Sequence, residues 1–119
     1  MDGRNTFSKR ERLQRGFQFR RVYEQGRKVE GKLVVVYMLE VAPEDRAVGV
    51  VTSRRIGGAI VRNRARRLLR EAYRLNKHKL KSNLQIVMVA RTAINGRHFR
   101  EVEANVLQLL AAAGALIES

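Results

Sequence analysis

The sequence predicts a single α+β domain, with helices packed on a small central sheet in the order α-β-β-β-α-β-α. Its 119 residues, 45% of them hydrophobic, are enough for one ordinary domain with its own core. Runs of β-branched apolar residues alternate along the chain with runs of helical periodicity. Because no repeat, low-complexity segment or linker interrupts this alternation, we predict that residues 1–119 form one domain.

The first predicted helix covers residues 17–26. Phe19, Val22 and Tyr23 lie at helical spacing in this segment. Phe19 and Tyr23 are four residues apart, so both belong to one face of the helix. We expect Gly26 to end the helix in a left-handed conformation.

Strands are predicted on both sides of the only proline. Residues 33–41 (LVVVYMLEV) and 47–53 (AVGVVTS) are rich in β-branched residues. Turn residues at 42–46 (APEDR) separate them, which predicts a hairpin. The short stretch 27–32 (RKVEGK) is predicted to add an edge strand.

The second half of the chain predicts two helices around one strand. Residues 58–76 have a long helical pattern, residues 84–91 (LQIVMVAR) form a buried strand, and residues 100–117 form a closing amphipathic helix. This completes the predicted order of elements.

Composition excludes several classes of function. The chain has no cysteine, which rules out disulfides, cysteine-ligated zinc and thiol catalysis, and is typical of the reducing cytoplasm. No apolar run reaches the length of a membrane span, and the N-terminus lacks the apolar core of a signal peptide. We therefore expect a cytoplasmic protein with no membrane association, and nothing indicates an obligate protein partner.

Positive charge dominates the chain and is localised. The 25 Lys and Arg residues exceed the 11 Asp and Glu residues to give a net charge of +14. Residues 54–77 carry nine basic groups and one acidic group, and residues 1–32 carry ten and four, whereas the remaining segments cancel one another. A localised basic face predicts binding to a polyanion, of which nucleic acid is the commonest in a cell.

The long helix is predicted to separate a core side from an arginine side. At about 100° per residue, the residues that we expect to face the sheet are Val61, Ala65, Leu68, Leu69 and Ala72. Arg62, Arg66, Arg70 and Arg74 recur every fourth residue on another side. Like charges at this spacing repel one another, and arginine can hold phosphate oxygens in a bidentate manner. An anionic ligand would relieve the repulsion.

The glycine pair before this helix has two interpretations. Gly57 and Gly58 permit backbone conformations and close approach that a Cβ would forbid. They could prepare an anion site at the helix N-terminus, or they could simply form a strand-to-helix turn. The pattern is not a Walker loop.

No catalytic set is visible in the sequence. The only histidines are His78 and His98, the only aspartates are Asp2 and Asp45, and no hydrolase or metal-binding motif occurs. The few aromatic residues could either fill the core or stack on unpaired bases. If the protein serves a reaction, we expect the chemistry to come from elsewhere.

The segment VGVVTSRRIGGAIVRNRARRLLREAYR resembles the signature of the bacterial ribonuclease P protein family. The hallmark is an Arg-Asn-Arg core, here Arg62, Asn63 and Arg64, after a basic-basic-x-Gly turn. Upstream, RERLQRGFQFRRVYEQGRKV and LVVVYML are similar to the family's N-terminal pattern and first long strand, and LQIVMVAR is similar to the strand after the signature helix. The resemblance covers roughly residues 9–91.

This resemblance implies a function that composition does not. In the family, a large catalytic RNA uses magnesium to cleave precursor tRNA and produce the mature 5′ end. The small protein binds that RNA and holds the single-stranded 5′ leader in a cleft between the signature helix and the sheet. The expected partners are therefore the ribonuclease P RNA and precursor tRNA. The family fold also implies a left-handed β-α-β crossover, where general rules favour a right-handed one.

The resemblance assigns site residues by position. The leader cleft is expected to be lined by Phe19, Tyr23, Tyr37, Arg62, Asn63, Arg66 and Arg70. The catalytic RNA is expected to contact chiefly Arg54, Arg55, Arg64, Arg67 and Arg74. Neither catalytic residues nor a protein-bound metal are expected.

Two departures from the family pattern stand out. Arg66 occupies a position where lysine is common, which changes the donor geometry. Phe17 with Arg21 offers a second alignment of the N-terminal motif; we prefer Phe19 and Tyr23, because only that alignment places two aromatics on one helical face.

Three other functions remain open at this point. The first is general RNA or ribosome binding without a role in tRNA processing. The second is a DNA-binding module that reads a major groove with residues 58–76, although a strand-based core is less usual for such readers. The third is a stand-alone nuclease, for which no carboxylate set is visible.

Overall fold

A computed structural model describes residues 11–117. The predicted domain also includes residues 1–10 and 118–119, which lie outside the described residues. The elements are α1 (Gly16–Gln25), β1 (Arg27–Glu30), β2 (Val34–Glu40), β3 (Ala47–Val51), α2 (Ala59–Asn76), β4 (Leu84–Ala90) and α3 (Phe99–Ala113). The predicted α+β class and element order are confirmed, including the edge strand β1.

The four strands form one mixed sheet in the order β1-β2-β4-β3. β4 runs antiparallel to β2, with Val36 opposite Met88, and parallel to β3, with Val48 opposite Ile86. The predicted hairpin between β2 and β3 is wrong, because β4 lies between them. Six of the seven β4 residues are buried, and a strand that is apolar on both faces is most stable in the middle of a sheet.

The connection from β3 through α2 to β4 joins two neighbouring parallel strands. A crossover of this kind needs a long connection, and α2 supplies it. The left hand of the crossover stays a prediction from the resemblance.

The sheet has a different covering on each face. On one face, α2 and α3 pack against alternate strand residues such as Val34, Val36, Ile86 and Met88 in the larger hydrophobic core. On the other face, α1 packs through Val22 against a smaller cluster that includes Val87. The smaller cluster leaves several side chains of this second face partly accessible.

Two helix ends differ from the predictions. Gly26 ends α1 with φ −87° and ψ 170°, so the expected left-handed conformation is wrong. Glycine is needed there because a Cβ would lie 2.5 Å from the Val22 carbonyl oxygen and 2.7 Å from that of Met38. The left-handed glycine is Gly114 instead, with φ 85°. It ends α3 at residue 113 rather than the predicted 117, because its conformation turns the chain out of the helix.

Within residues 11–117, no helix combines the length and the apolar character needed to cross a membrane.

Candidate nucleic-acid interface

The second sheet face carries two rows of side chains that run across three strands. Tyr37, Val87 and Gly49 are aligned in one row, and Val35, Val89 and Val51 in the next. Val87 is fully buried, whereas the three valines of the second row are only partly buried. We call Val35, Tyr37, Val51 and Val89 the open sheet face.

Phe19 reaches this face because β3 has no side chain at Gly49. A Cβ on Gly49 would lie 2.3 Å from Cε1 of Phe19, so the ring occupies the space of the missing side chain. The sequence prediction did not include Gly49. The signal for it was a glycine inside an apolar strand, which often marks close approach of another group.

Tyr23 and Tyr37 form the aromatic edge of the same face. Their ring centroids are 4.7 Å apart with an interplanar angle of 70°, the edge-to-face arrangement that aromatic pairs prefer. Burial, and then the electrostatic interaction with Tyr37, raise the pKa of the Tyr23 phenol; a tyrosine hydroxyl is a hydrogen-bond donor at neutral pH with or without this shift. Phe17 is 61% exposed, so the preferred alignment through Phe19 and Tyr23 is the one that faces the sheet.

Arg66 joins α2 to the end of β3 beside the open sheet face. Its Nη2 donates to Oγ1 of Thr52 at 2.8 Å, and its Nη1 donates to Oδ1 of Asn63 at 2.6 Å. The guanidinium is held in one plane at the boundary between helix and sheet. The structure therefore brings the predicted residues Asn63 and Arg66 together.

Arg70 lies where positive charges are concentrated. Burial and then the charges of Arg12 and Arg66 lower the pKa of Arg70. Together with Phe19 and Gly49, Arg12 and Arg70 line a groove of about 390 Å³. A bound phosphate would relieve the repulsion among these guanidinium groups.

A second groove, of about 370 Å³, continues along α2. Asn63, Arg66, Arg67 and Arg70 line it with Ile60. Arg62 lines neither groove, and its Nε is buried without a hydrogen-bond partner among the described residues. Five of the seven predicted leader residues thus lie on the open sheet face or in its two bordering grooves, and Tyr23 contacts Tyr37 at the edge of that face.

The arginines predicted to meet the catalytic RNA are in three different states. Arg64 donates from Nη2 to the Arg97 carbonyl at 2.8 Å. Arg74 is paired with Glu71 through two hydrogen bonds of 3.0 and 2.6 Å; this pairing lowers the pKa of Glu71 and raises that of Arg74. Arg67 is exposed and makes no hydrogen bond or ion pair inside the described part of the chain.

Arg54 and Arg55 belong to a short 3-10 turn between β3 and α2, where both are exposed. Gly57 ends that turn with φ 147°, a conformation that requires glycine, whereas Gly58 has an ordinary φ of −72°. The prediction that Val61 lies in the core is wrong. Its side chain is 40% exposed and lies against Gly57, because the first turn of α2, from Ala59 to Val61, is exposed rather than packed in the core.

The surface as a whole can bind an extended, flexible polyanion. Aromatic rings and valines provide an apolar platform, and guanidinium groups border it on the α2 side. This is the combination found in single-strand nucleic-acid binding, where bases stack and phosphates pair with arginine.

Comparison with known proteins points to one family. The ribonuclease P family model matches residues 7–114. The ribonuclease P protein component of Clostridium acetobutylicum is 34% identical over 111 residues, which span 92% of this chain and 93% of the relative. That of Alkaliphilus oremlandii is 36% identical over 99 residues, 83% of this chain and 87% of the relative.

Solved structures agree with this result. The RNase P protein of Staphylococcus aureus superposes with a TM-score of 0.77 at 21% identity, over 90% of this chain and 98% of the other. The RNase P protein of Thermotoga maritima gives 0.71 at 27% identity, over 92% and 100%. From the family match, the relatives and the shared fold, we conclude that this chain belongs to the ribonuclease P protein family.

Proposed function

We propose that this chain binds the 5′ leader of precursor tRNA on the open sheet face while the arginines of α2 contact the RNA subunit of ribonuclease P. As a family member, the chain is a protein component of that endoribonuclease and supports 5′ processing of tRNA together with the RNA subunit. In our proposal the RNA carries the chemistry and the complex works in the cytoplasm. The family match does not favour general RNA binding without tRNA processing.

The observation that carries the proposal is the contact of Arg66 with both Asn63 and Thr52. It fixes a guanidinium at the border of an apolar, aromatic sheet face. A single strand laid across this face could stack its bases on Tyr37 and Phe19 and place its phosphates against Arg66 and Arg70. A duplex could not do so, since its bases are not available for stacking.

Leader binding would give the protein a way to distinguish substrate from product. The leader is the part that cleavage removes, so contacts made only to the leader stabilise the precursor complex and not the mature tRNA complex. The positive charge of the protein would also offset the repulsion between two RNA molecules.

The residues of the grooves do not fit a magnesium ion. Magnesium prefers oxygen ligands in octahedral geometry, but the grooves are lined by arginines, and the nearby Glu71 is held by Arg74. In residues 11–117, no three His, Asp or Glu side chains are placed to hold a metal. We therefore assign the magnesium of the reaction to the RNA subunit.

The experiment that tests the proposal is reconstitution with a bacterial ribonuclease P RNA at low magnesium. We expect the protein to restore cleavage of precursor tRNA. Tyr37→Ala should weaken precursor affinity by about 5- to 100-fold, because one stacked base contributes about 1–3 kcal/mol. Affinity for mature tRNA should change little.

Phe17→Ala is the matched control, since it removes an aromatic ring of α1 that is 61% exposed. It should leave both affinities unchanged. Equal losses of precursor and mature affinity in Tyr37→Ala would contradict the leader assignment, and absence of any stimulation by the wild-type protein would contradict the proposed function itself.

A further inference from the structure

A third and larger groove lies between α2 and the start of α3. Its volume is about 580 Å³, and Leu68 and Phe99 provide its apolar lining. Both side chains are only partly buried and pack against the larger core. Five arginines and one glutamate complete the lining, namely Arg12, Arg64, Arg67, Arg70, Arg74 and Glu71. We call this the α2–α3 groove.

Two of the arginines around this groove, Arg64 and Arg74, are held in place by the fold. The Arg97 carbonyl, just before α3, accepts a hydrogen bond from Arg64, and Glu71 holds Arg74 through two bonds. Between these two anchored side chains on the helix, Arg67 makes no polar contact in the described chain. The fold thus holds two guanidinium groups of the groove, and the guanidinium of Arg67 between them can bind a ligand.

We propose that the α2–α3 groove binds one unpaired nucleotide of the RNA subunit, with its base on Phe99 and Leu68 and its phosphate on Arg67. This inference rests on the proposed function and adds a defined contact to it. It extends the predicted RNA contacts of Arg64, Arg67 and Arg74 to a residue of α3 that the sequence prediction did not include.

The chemistry of the groove favours a nucleotide over other ligands. A ring lining next to guanidinium groups matches a flat base joined to a phosphate. The volume lies in the ordinary range for small-molecule sites. An RNA duplex would contact the exposed basic side chains through its phosphates. Its bases are paired, so none of them would bind the Phe99 ring in the groove.

The position of the groove favours the RNA subunit over the leader. Phe99 and Leu68 pack with the core on the α2–α3 side of the sheet, whereas Phe19 and Tyr37 pack with the cluster on the opposite side. Arg12 and Arg70 line both this groove and the one beside Phe19, so their side chains lie between the two grooves. A leader that follows the open sheet face would not reach the Phe99 ring.

The test is photochemical cross-linking of the wild-type protein in complex with a bacterial ribonuclease P RNA and precursor tRNA. Irradiation at short wavelength joins stacked aromatic side chains to bases without a linker. We expect mass spectrometry to find Phe99 joined to one nucleotide of the RNA subunit. A cross-link to the leader, or none at Phe99, would overturn the inference.

A variant provides a second measurement. Phe99→Leu keeps an apolar side chain against the core but removes the ring, and it should weaken binding of the RNA subunit by about five- to tenfold. The ratio of precursor to mature tRNA affinity should stay unchanged. Phe17→Leu is the matched control and should have no effect on either quantity.

The outcomes separate this inference from the proposed function. Unchanged RNA affinity in a folded Phe99→Leu protein would overturn the α2–α3 groove as a nucleotide site while leader discrimination persists. Failure of the wild-type protein to bind the RNA subunit at all would instead contradict the proposed function. The cross-link needs no variant, so it decides the question even if Phe99→Leu folds poorly.

Discussion

Gly49→Ala tests whether the missing side chain in β3 is what allows Phe19 to reach the sheet. In the structure, a Cβ at residue 49 would lie 2.3 Å from Cε1 and 2.7 Å from Cζ of Phe19. Non-bonded carbon atoms attract best at about 3.5–4.0 Å. The ring would therefore have to withdraw by about 1.2 Å or more, which would shift α1 or change the ring's rotamer.

The expected magnitude follows from two opposing effects. Overpacking of a core position costs about 1–3 kcal/mol, whereas replacing glycine by alanine inside a strand contributes about 0.5–1 kcal/mol in the other direction. We expect the free energy of unfolding to fall by about 1–2 kcal/mol, measured by urea denaturation. We also expect weaker discrimination of precursor from mature tRNA, since Phe19 leaves its groove.

A double-mutant cycle identifies the ring as the cause. In a Phe19→Ala background the clash is gone, so Gly49→Ala should be neutral or stabilising. Gly16→Ala is the matched control, because a Cβ at this first residue of α1 has no heavy atom within 4 Å. If Gly49→Ala lowers stability equally with and without the Phe19 ring, the packing argument is wrong.

Three further changes test separate parts of the molecule. Arg67→Ala should weaken RNA binding and make the slope of log affinity against log salt concentration shallower by about 0.7–0.9. The control Arg91→Ala should leave both the affinity and the slope unchanged. An unchanged slope for Arg67→Ala would mean that this side chain is only solvated. Asn105→Ala removes the oxygen that accepts a hydrogen bond from the buried Leu33 N–H at 3.0 Å. The free energy of unfolding, measured by urea denaturation, should fall by about 1–3 kcal/mol. A fall of less than about 0.5 kcal/mol would mean that this hydrogen bond does not stabilise the fold. Burial raises the pKa of Tyr73 to about 12, so the folded protein holds this proton more tightly than the unfolded chain does. The free energy of unfolding should therefore fall as pH rises from about 10 to 12. The difference in free energy of unfolding between wild type and Tyr73→Phe should shrink over that range, and a constant difference would contradict the assignment.

Local patterns predicted the elements well, because periodicity reports which side of a segment is apolar. Residues 58–76 predicted α2 to within one residue, and residues 84–91 predicted β4 equally closely. Strand pairing was different. The turn at 42–46 indicated a hairpin between β2 and β3. Strand order, however, depends on which strand is most apolar on both faces. That strand is β4, and it lies between β2 and β3 in the sheet.

For the candidate site, too, the sequence predicted the local elements but not the contacts between distant segments. The arginine spacing and the Arg-Asn-Arg core identified the helix that borders the open sheet face, and Phe19 and Tyr23 identified the helix face that packs on it. Contacts between distant segments were not predictable from spacing. Asn63 and Thr52 orient Arg66, and Phe99 enters a groove whose other walls belong mostly to α2.

The sequence by itself determined the α+β class, the basic helix and the family, because these depend on composition, periodicity and a local signature. Only the tertiary structure decided that β4 separates β2 from β3, that Gly49 makes room for Phe19, and that the arginines of α2 are divided between two sides of the molecule. Each of these depends on packing between residues far apart in the chain. Such packing is selected by the free energy of the whole core, and no single segment carries that information.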